Sequence, residues 1–155
     1  ADNGILCSCG KQGCLETIVS ATAIVRLAKE GINKGSSSLM EELVMGDIEK
    51  IEISTVIQAA NSGDQFAISL FSNLGHWLGK GIAYLIQVFT PELKIMGGHV
   101  AEASQYIMAP IQQSINTYAN RDISNDTIIK FSELGSKAGT IGAAAYALER
   151  ISFSK

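Results

Sequence analysis

The sequence predicts a helix-rich α/β fold, and three observations lead there. Apolar residues recur at helical spacing through most of the 155 residues. Only two short stretches, 93–96 and 127–134, have the β-rich character of strands. The connections are short, with "GINKGSSS" (31–38) the only linker-like run and no internal repeat. Two strands do not make a stable sheet of their own, so these are expected to belong to a larger sheet, most of it outside this sequence. The chain therefore reads as a single partial domain over residues 1–155.

The elements follow in order. "CLETIVSATAIVRLAKEG" (14–31) places Leu15, Ile18, Val19, Val25 and Ala28 at helical spacing and ends at Gly31. "SLMEELVMG" begins at Ser38 with Glu41 three residues on, a capping-box pattern, and closes at Gly46. "STVIQAANSG" repeats the plan, with Ser54 as cap and Gly63 as terminator. Asp64 then caps a long helix over 65–89, which stops at Thr90-Pro91 because a residue before proline avoids the helical region. That helix is apolar on more than one face, through Phe66, Leu70, Phe71, Leu74, Trp77, Leu78, Ile82, Leu85 and Ile86, so a second buried surface and self-association are expected. "LKIM" (93–96) is a strand followed at once by "GGH". A helical region from Val100 to Tyr118 is expected to break or restart at Pro110. "TIIKFSEL" is the second strand, and "GSKAG" leads into a last helix, "TIGAAAYALERI". The small residues of that helix, Gly142 to Ala145 and Ala147, predict a close neighbour.

Composition excludes several classes. A chain of this length with 46% hydrophobic residues can bury a real core. No apolar run reaches the roughly 18 residues that would span a membrane. Nothing reads as a signal peptide. A net charge of −3 with scattered Lys and Arg gives no nucleic-acid footprint, so any DNA contact is expected to come through another domain. Three cysteines do not close into a disulfide framework, which places the protein in a reducing cytoplasm.

All three cysteines fall within "CSCGKQGC" (7–14). Gly10 and Gly13 let the backbone of Cys7-x-Cys9-x4-Cys14 turn sharply enough for three sulfurs to converge. Zinc prefers sulfur and imidazole in a tetrahedral set, so this loop offers three of four ligands. Three unligated thiols, or a redox-active C-x-C pair, are the plainer alternatives. Gly97-Gly98, between a strand and a helix, suits close approach of the backbone to a phosphate, although a plain turn explains it as well. Residues 135–139 lack the spacing of a P-loop.

"CSCGKQGCLE" resembles the C-x-C-G-x-x-G-C-L-E signature of the ROK family (repressors, open reading frames and sugar kinases). "PELKIMGGHV" and "AGTIGAAAYAL" resemble two further segments of that family in register, so the resemblance spans nearly the whole chain. It implies the helix-rich part of the second lobe of an actin-like ATPase (ribonuclease H-like) fold, commonly in dimers or tetramers. It implies one structural zinc held by Cys7, Cys9 and Cys14, with a fourth ligand, a histidine, expected upstream of Ala1. It implies that Glu16 accepts hydrogen bonds from the hydroxyls of a sugar or amino sugar, although a carboxylate there also suits a helix first turn. In ROK kinases, which use ATP and Mg, the Gly97–Gly98 segment borders the adenosine site and often has a third glycine, where this sequence has His99. That residue favours the effector and dimerisation region of a NagC-like transcriptional regulator over the C-terminal part of a sugar kinase. The kinase phosphate loop and catalytic Asp have no counterpart here, so phosphoryl transfer is not expected of this stretch alone. His76, beside Trp77, reads as a helix-surface or packed histidine.

Overall fold

A computed structural model describes residues 4–124 and 126–152. Its elements are α1 (Glu16–Val19), α2 (Ala21–Asn33), α3 (Leu39–Leu43), α4 (Ile53–Asn61), α5 (Gln65–Phe89), β1 (Leu93–Met96), α6 (Ser104–Tyr118), α7 (Arg121–Ser124), β2 (Ile128–Phe131) and α8 (Ala138–Ser152).

The long helix α5 is the axis of the fold. Asp64 caps it as expected, its carboxylate accepting from the Ala67 N–H at 2.8 Å. The same carboxylate accepts from the Ser38 hydroxyl at 2.7 Å and from the Leu39 N–H, so one buried side chain fixes the starts of both α3 and α5. Burial pushes this carboxyl up, but the bonds from Ala67, Ser38, Leu39 and Phe66 outweigh it and hold the group below its ordinary value. A depressed folded pKa stabilises above the unfolded value, and that contribution disappears as pH falls through the folded value. Asp64→Asn is therefore expected to cost about 1 kcal/mol at neutral pH and nearly nothing well below pH 4. Urea titrations of both proteins across that range provide the check, and equal losses at every pH would refute the assignment.

The core is made by α5 with α2, α4 and α6. Ile24, Met40, Val56, Phe71, Leu74, Ile86, Ile107 and Ile111 are fully buried in it. The α5–α6 contact is the most extensive. It is close because α5 presents Gly75 and Gly79 to the α6 backbone at Ile107 and Ile111. Pro110 lies inside α6 without breaking it, contrary to the sequence expectation. Its ring packs beside Gly75, and the helix is held by its packing on α5.

Other departures from expectation are local. The first predicted helix is two, because Ser20 is extended and caps α2 by accepting from the Ala23 N–H. Helix α4 starts at Ile53 rather than after Ser54, since Glu52 and Thr55 form its capping box. Ser38 caps α3 by accepting from the Met40 N–H, with Asp64 in the supporting role expected of Glu41. Helix α5 ends at Thr90 as expected, in a left-handed cap with φ of +42°.

Strands β1 and β2 pair in parallel, Leu93 opposite Ile128 and Met96 opposite Phe131. Met96, Ile129 and Phe131 pack on the helices, whereas Leu93, Ile95 and Ile128 are exposed on the outer face. Parallel strands are ordinarily covered on both faces, and here the outer face is bare among the described residues. Residues 139–150 of α8 are exposed throughout, so the close neighbour predicted for its small residues is not found among the described residues.

Candidate functional site

Residues 7–14 form a tight knuckle. The Cys7 N–H donates to the Lys11 carbonyl at 2.8 Å, the Gly10 N–H to Cys7 at 2.9 Å and the Gly13 N–H to Ile5 at 3.0 Å. Leu6 and Gln12 face each other across an antiparallel bridge. The chain turns through left-handed backbone at Gly10 (φ +82°) and Gly13 (φ +70°), where a side chain would be strained.

The turn brings together the sulfurs of Cys7, Cys9 and Cys14, all within 4.8 Å of one another, with Cys9 and Cys14 3.5 Å apart. Zinc bound to sulfur at about 2.3 Å holds its tetrahedral sulfurs about 3.8 Å apart, so this set is compatible with one ion. The three are free thiols. The Lys11 backbone, ahead of the Cys14 and Cys7 thiols, holds the Cys9 thiol below its ordinary value. The Cys14 thiol is pushed up to about 11, chiefly by Cys9 and then by Cys7. Three sulfurs this close share protons, and a cation in their midst would take the protons' place.

Glu16 opens α1 immediately after the knuckle. Its Oε2 accepts from the Cys7 thiol at 3.7 Å. The Thr17 hydroxyl donates to the Cys14 carbonyl at 2.7 Å and ties the helix to the same loop. Glu16 is exposed and lines an open pocket of about 360 Å³ with Cys7, Thr17, Ser20 and Arg26. An exposed carboxylate among hydroxyls and a guanidinium is equipped to bind a polyol through charge-assisted hydrogen bonds. The sequence reading missed Thr17, Ser20 and Arg26. The signal was Ser20, whose capping of α2 breaks the helix there, and residues from both sides of the break line one pocket.

Gly97 and Gly98 do not join this pocket. Gly98 has φ of +82°, and a five-residue 3-10 turn, His99–Ala103, follows it where a helix start was expected. Gly97 lines a separate cavity of about 210 Å³ with Val19, Leu78 and Phe131. Helix α1 thus presents Glu16 to one cavity and Val19 to the other. The side chain of His99 lies outside the described residues. His76 is an exposed helical histidine, its Nδ1 2.9 Å from the buried Ser114 hydroxyl and its ring edge-on to Trp77 and Tyr118.

The sequence matches the ROK family across residues 1–150, and the chain belongs to that family. It is 36% identical over 149 residues to a glucokinase of Thermotoga maritima, covering 96% of this chain and 47% of that protein. It is 32% identical over 142 residues to the DNA-binding transcriptional dual regulator NagC of Escherichia coli, covering 92% of this chain and 33% of NagC. The crystal structure of a ROK family glucokinase from Streptomyces griseus, in complex with glucose and AMPPNP, superposes with a TM-score of 0.84 at 33% identity. That match covers 94% of this chain and 48% of the enzyme. The chain thus spans about half the length, or less, of the curated relatives it matches. Its fold is the helix-rich part of an actin-like lobe, as the resemblance implied. No helix among the described residues is long and apolar enough to cross a membrane.

Proposed function

We propose that this chain is the sugar-recognition part of a cytoplasmic ROK protein, with Glu16 accepting hydrogen bonds from the hydroxyls of a hexose or N-acetylhexosamine. The observation that carries the reading is the placement of Glu16: an exposed carboxylate next to the cysteine knuckle, opening into a pocket where Thr17, Ser20 and Arg26 stand beside the apolar Ile5, Leu6 and Ala23. Cys7, Cys9 and Cys14 would hold one zinc ion. When bound, the ion supplies rigidity, and the chain's own part is to present Glu16 at a fixed distance from the loop.

Two forms of the whole protein follow. The effector region of a NagC-like regulator has His99 in its favour, at a position where ROK kinases often have a third glycine. The C-terminal part of an ATP-dependent sugar kinase has in its favour the higher identity to glucokinases and the superposition on one holding glucose. In the kinase form, which would use ATP and Mg, Gly97 and Gly98 would border the adenosine site. Either form is expected to be at least a homodimer, since Tyr84, Val88 and Phe89 near the end of α5 expose apolar surface. A monomeric mass by light scattering would exclude that assembly.

Glu16→Ala in the intact protein is expected to abolish or severely weaken sugar binding with the fold unchanged. Glu16→Gln keeps an acceptor, loses the charge and is expected to be milder. Calorimetry against hexoses and N-acetylhexosamines measures both, and unchanged affinity in the Ala variant removes Glu16 from the site. ATP-dependent phosphorylation of the sugar that binds, set against sugar-sensitive DNA binding, decides between the two forms.

A further inference from the structure

The geometry points to Arg26 as a positioning residue for Glu16, acting through the backbone of α1 and anchored by Glu30. This rests on the reading of Glu16 as the sugar acceptor.

Helix α1 is four residues long and has no side-chain cap at its start. A helix that short does not hold its own orientation, because its terminal backbone groups lack helical partners. Its position must come from outside. On one side the Thr17 hydroxyl bonds the Cys14 carbonyl at 2.7 Å, tying α1 to the cysteine knuckle. On the other side Arg26, more than a full turn into α2, donates from Nη2 to the Thr17 carbonyl at 3.4 Å. Its Nη1 donates to Glu30 at 2.8 Å, one turn further along α2. The residue after Glu16 is thus held at its hydroxyl by the knuckle and at its carbonyl by α2. Helix α1 also packs on α2 and α5, with Val19 against the core, and the Arg26 bond adds a directional tie between α1 and α2 across the extended Ser20. Arg26 and Glu30 are both partly exposed, so the core does not depend on them.

Arg26 also lines the pocket, so a direct ligand contact is the competing role, and Glu30 separates the two. If Arg26 works by holding Thr17, removing its anchor has the same effect as removing Arg26. If it touches the ligand, freeing it from Glu30 leaves affinity intact or tightens it.

The test uses the intact protein and calorimetry with the hexose or N-acetylhexosamine that binds the wild type best. Arg26→Ala and Glu30→Ala are each expected to weaken binding by about tenfold, with bound metal and melting temperature little changed. The double variant is expected to be no weaker than either single one. In a Glu16→Gln background, Arg26→Ala is expected to add little, because its effect passes through Glu16. Arg26→Lys keeps one charged donor and is expected to restore part of the affinity. Loss in Arg26→Ala without loss in Glu30→Ala overturns the proposal in favour of direct contact. Unchanged affinity in Arg26→Ala, with Glu16→Ala severely impaired, overturns it and leaves the sugar site standing. Unchanged affinity in Glu16→Ala overturns the sugar reading and this proposal together.

Discussion

Gly79→Ala is expected to destabilise this chain by about 2 kcal/mol, whereas Gly142→Ala is expected to stabilise it by somewhat under 1 kcal/mol. Both glycines lie in helix interiors, where alanine is intrinsically better by about 1 kcal/mol. What differs is the neighbour. A Cβ on Gly79 would stand 2.6 Å from the Ile111 carbonyl oxygen and 2.8 Å from both the Ile111 Cα and the Ser114 Cβ. Two of these three atoms are backbone of α6 and the third is fixed to it, so no rotamer change relieves the overlap. The helices must separate along the most extensive contact in the fold. Overpacking of this kind costs about 3 kcal/mol, which exceeds the propensity gain. A Cβ on Gly142 meets nothing within 4 Å among the described residues. Differential scanning calorimetry is expected to show a melting temperature lower by about 6 °C for Gly79→Ala and slightly raised for Gly142→Ala. Equal shifts in the same direction would mean that the α5–α6 approach is not the reason for glycine at position 79.

The same comparison explains what the sequence reveals and what it conceals. Helix α5 was legible end to end, because its signals are local: an Asp cap, a helical apolar period and a Thr-Pro stop. The strand 93–96 was legible for the same reason, a short β-rich run set between Pro91 and Gly97. The continuity of α6 through Pro110 was not, because the compensation lies on α5, about thirty-five residues away in sequence. The break at Ser20 was missed because the apolar residues on either side keep one helical rhythm, and the period outweighed a single capping serine. At the site, the cysteine spacing announced a convergence of sulfurs before any coordinates. Glu16 came from family resemblance, since a lone acidic residue in a helix first turn has an ordinary explanation. Arg26 was invisible. Its partner is a backbone carbonyl nine residues back, exposed to it only by the turn at Ser20.

Cys14→Ser is expected to remove the bound metal and weaken sugar binding by about 10- to 100-fold, while leaving the helical core close to wild-type stability. The expectation follows from the zinc proposal and from where the knuckle sits. Cys14 has its sulfur 3.5 Å from that of Cys9, and its carbonyl accepts from both the Thr17 N–H and the Thr17 hydroxyl. Serine keeps the carbonyl but replaces a soft thiolate with a poor zinc ligand, leaving two sulfurs. With the ion gone, the loop keeps its backbone hydrogen bonds and the Thr17 hydroxyl bond but loses the metal cross-link, and Glu16, two residues on, inherits that looseness. The core does not, because Ile24, Phe71, Ile107 and Ile111 pack well away in sequence from the knuckle. Cys14→Ser and Gly79→Ala therefore form opposite pairs of outcomes. The first loses metal and sugar and keeps its melting temperature, and the second keeps metal and loses melting temperature. Protons compete for the same sulfurs, and the Cys14 thiol holds its proton up to about pH 11 without metal. Wild-type zinc affinity is accordingly expected to rise with pH, by about tenfold per unit for each proton displaced. Elemental analysis and calorimetry on protein purified under reducing conditions measure all of this. A wild type that contains no zinc and titrates as three independent thiols would end the metal reading, and a Cys14→Ser variant with full sugar affinity would uncouple the knuckle from Glu16.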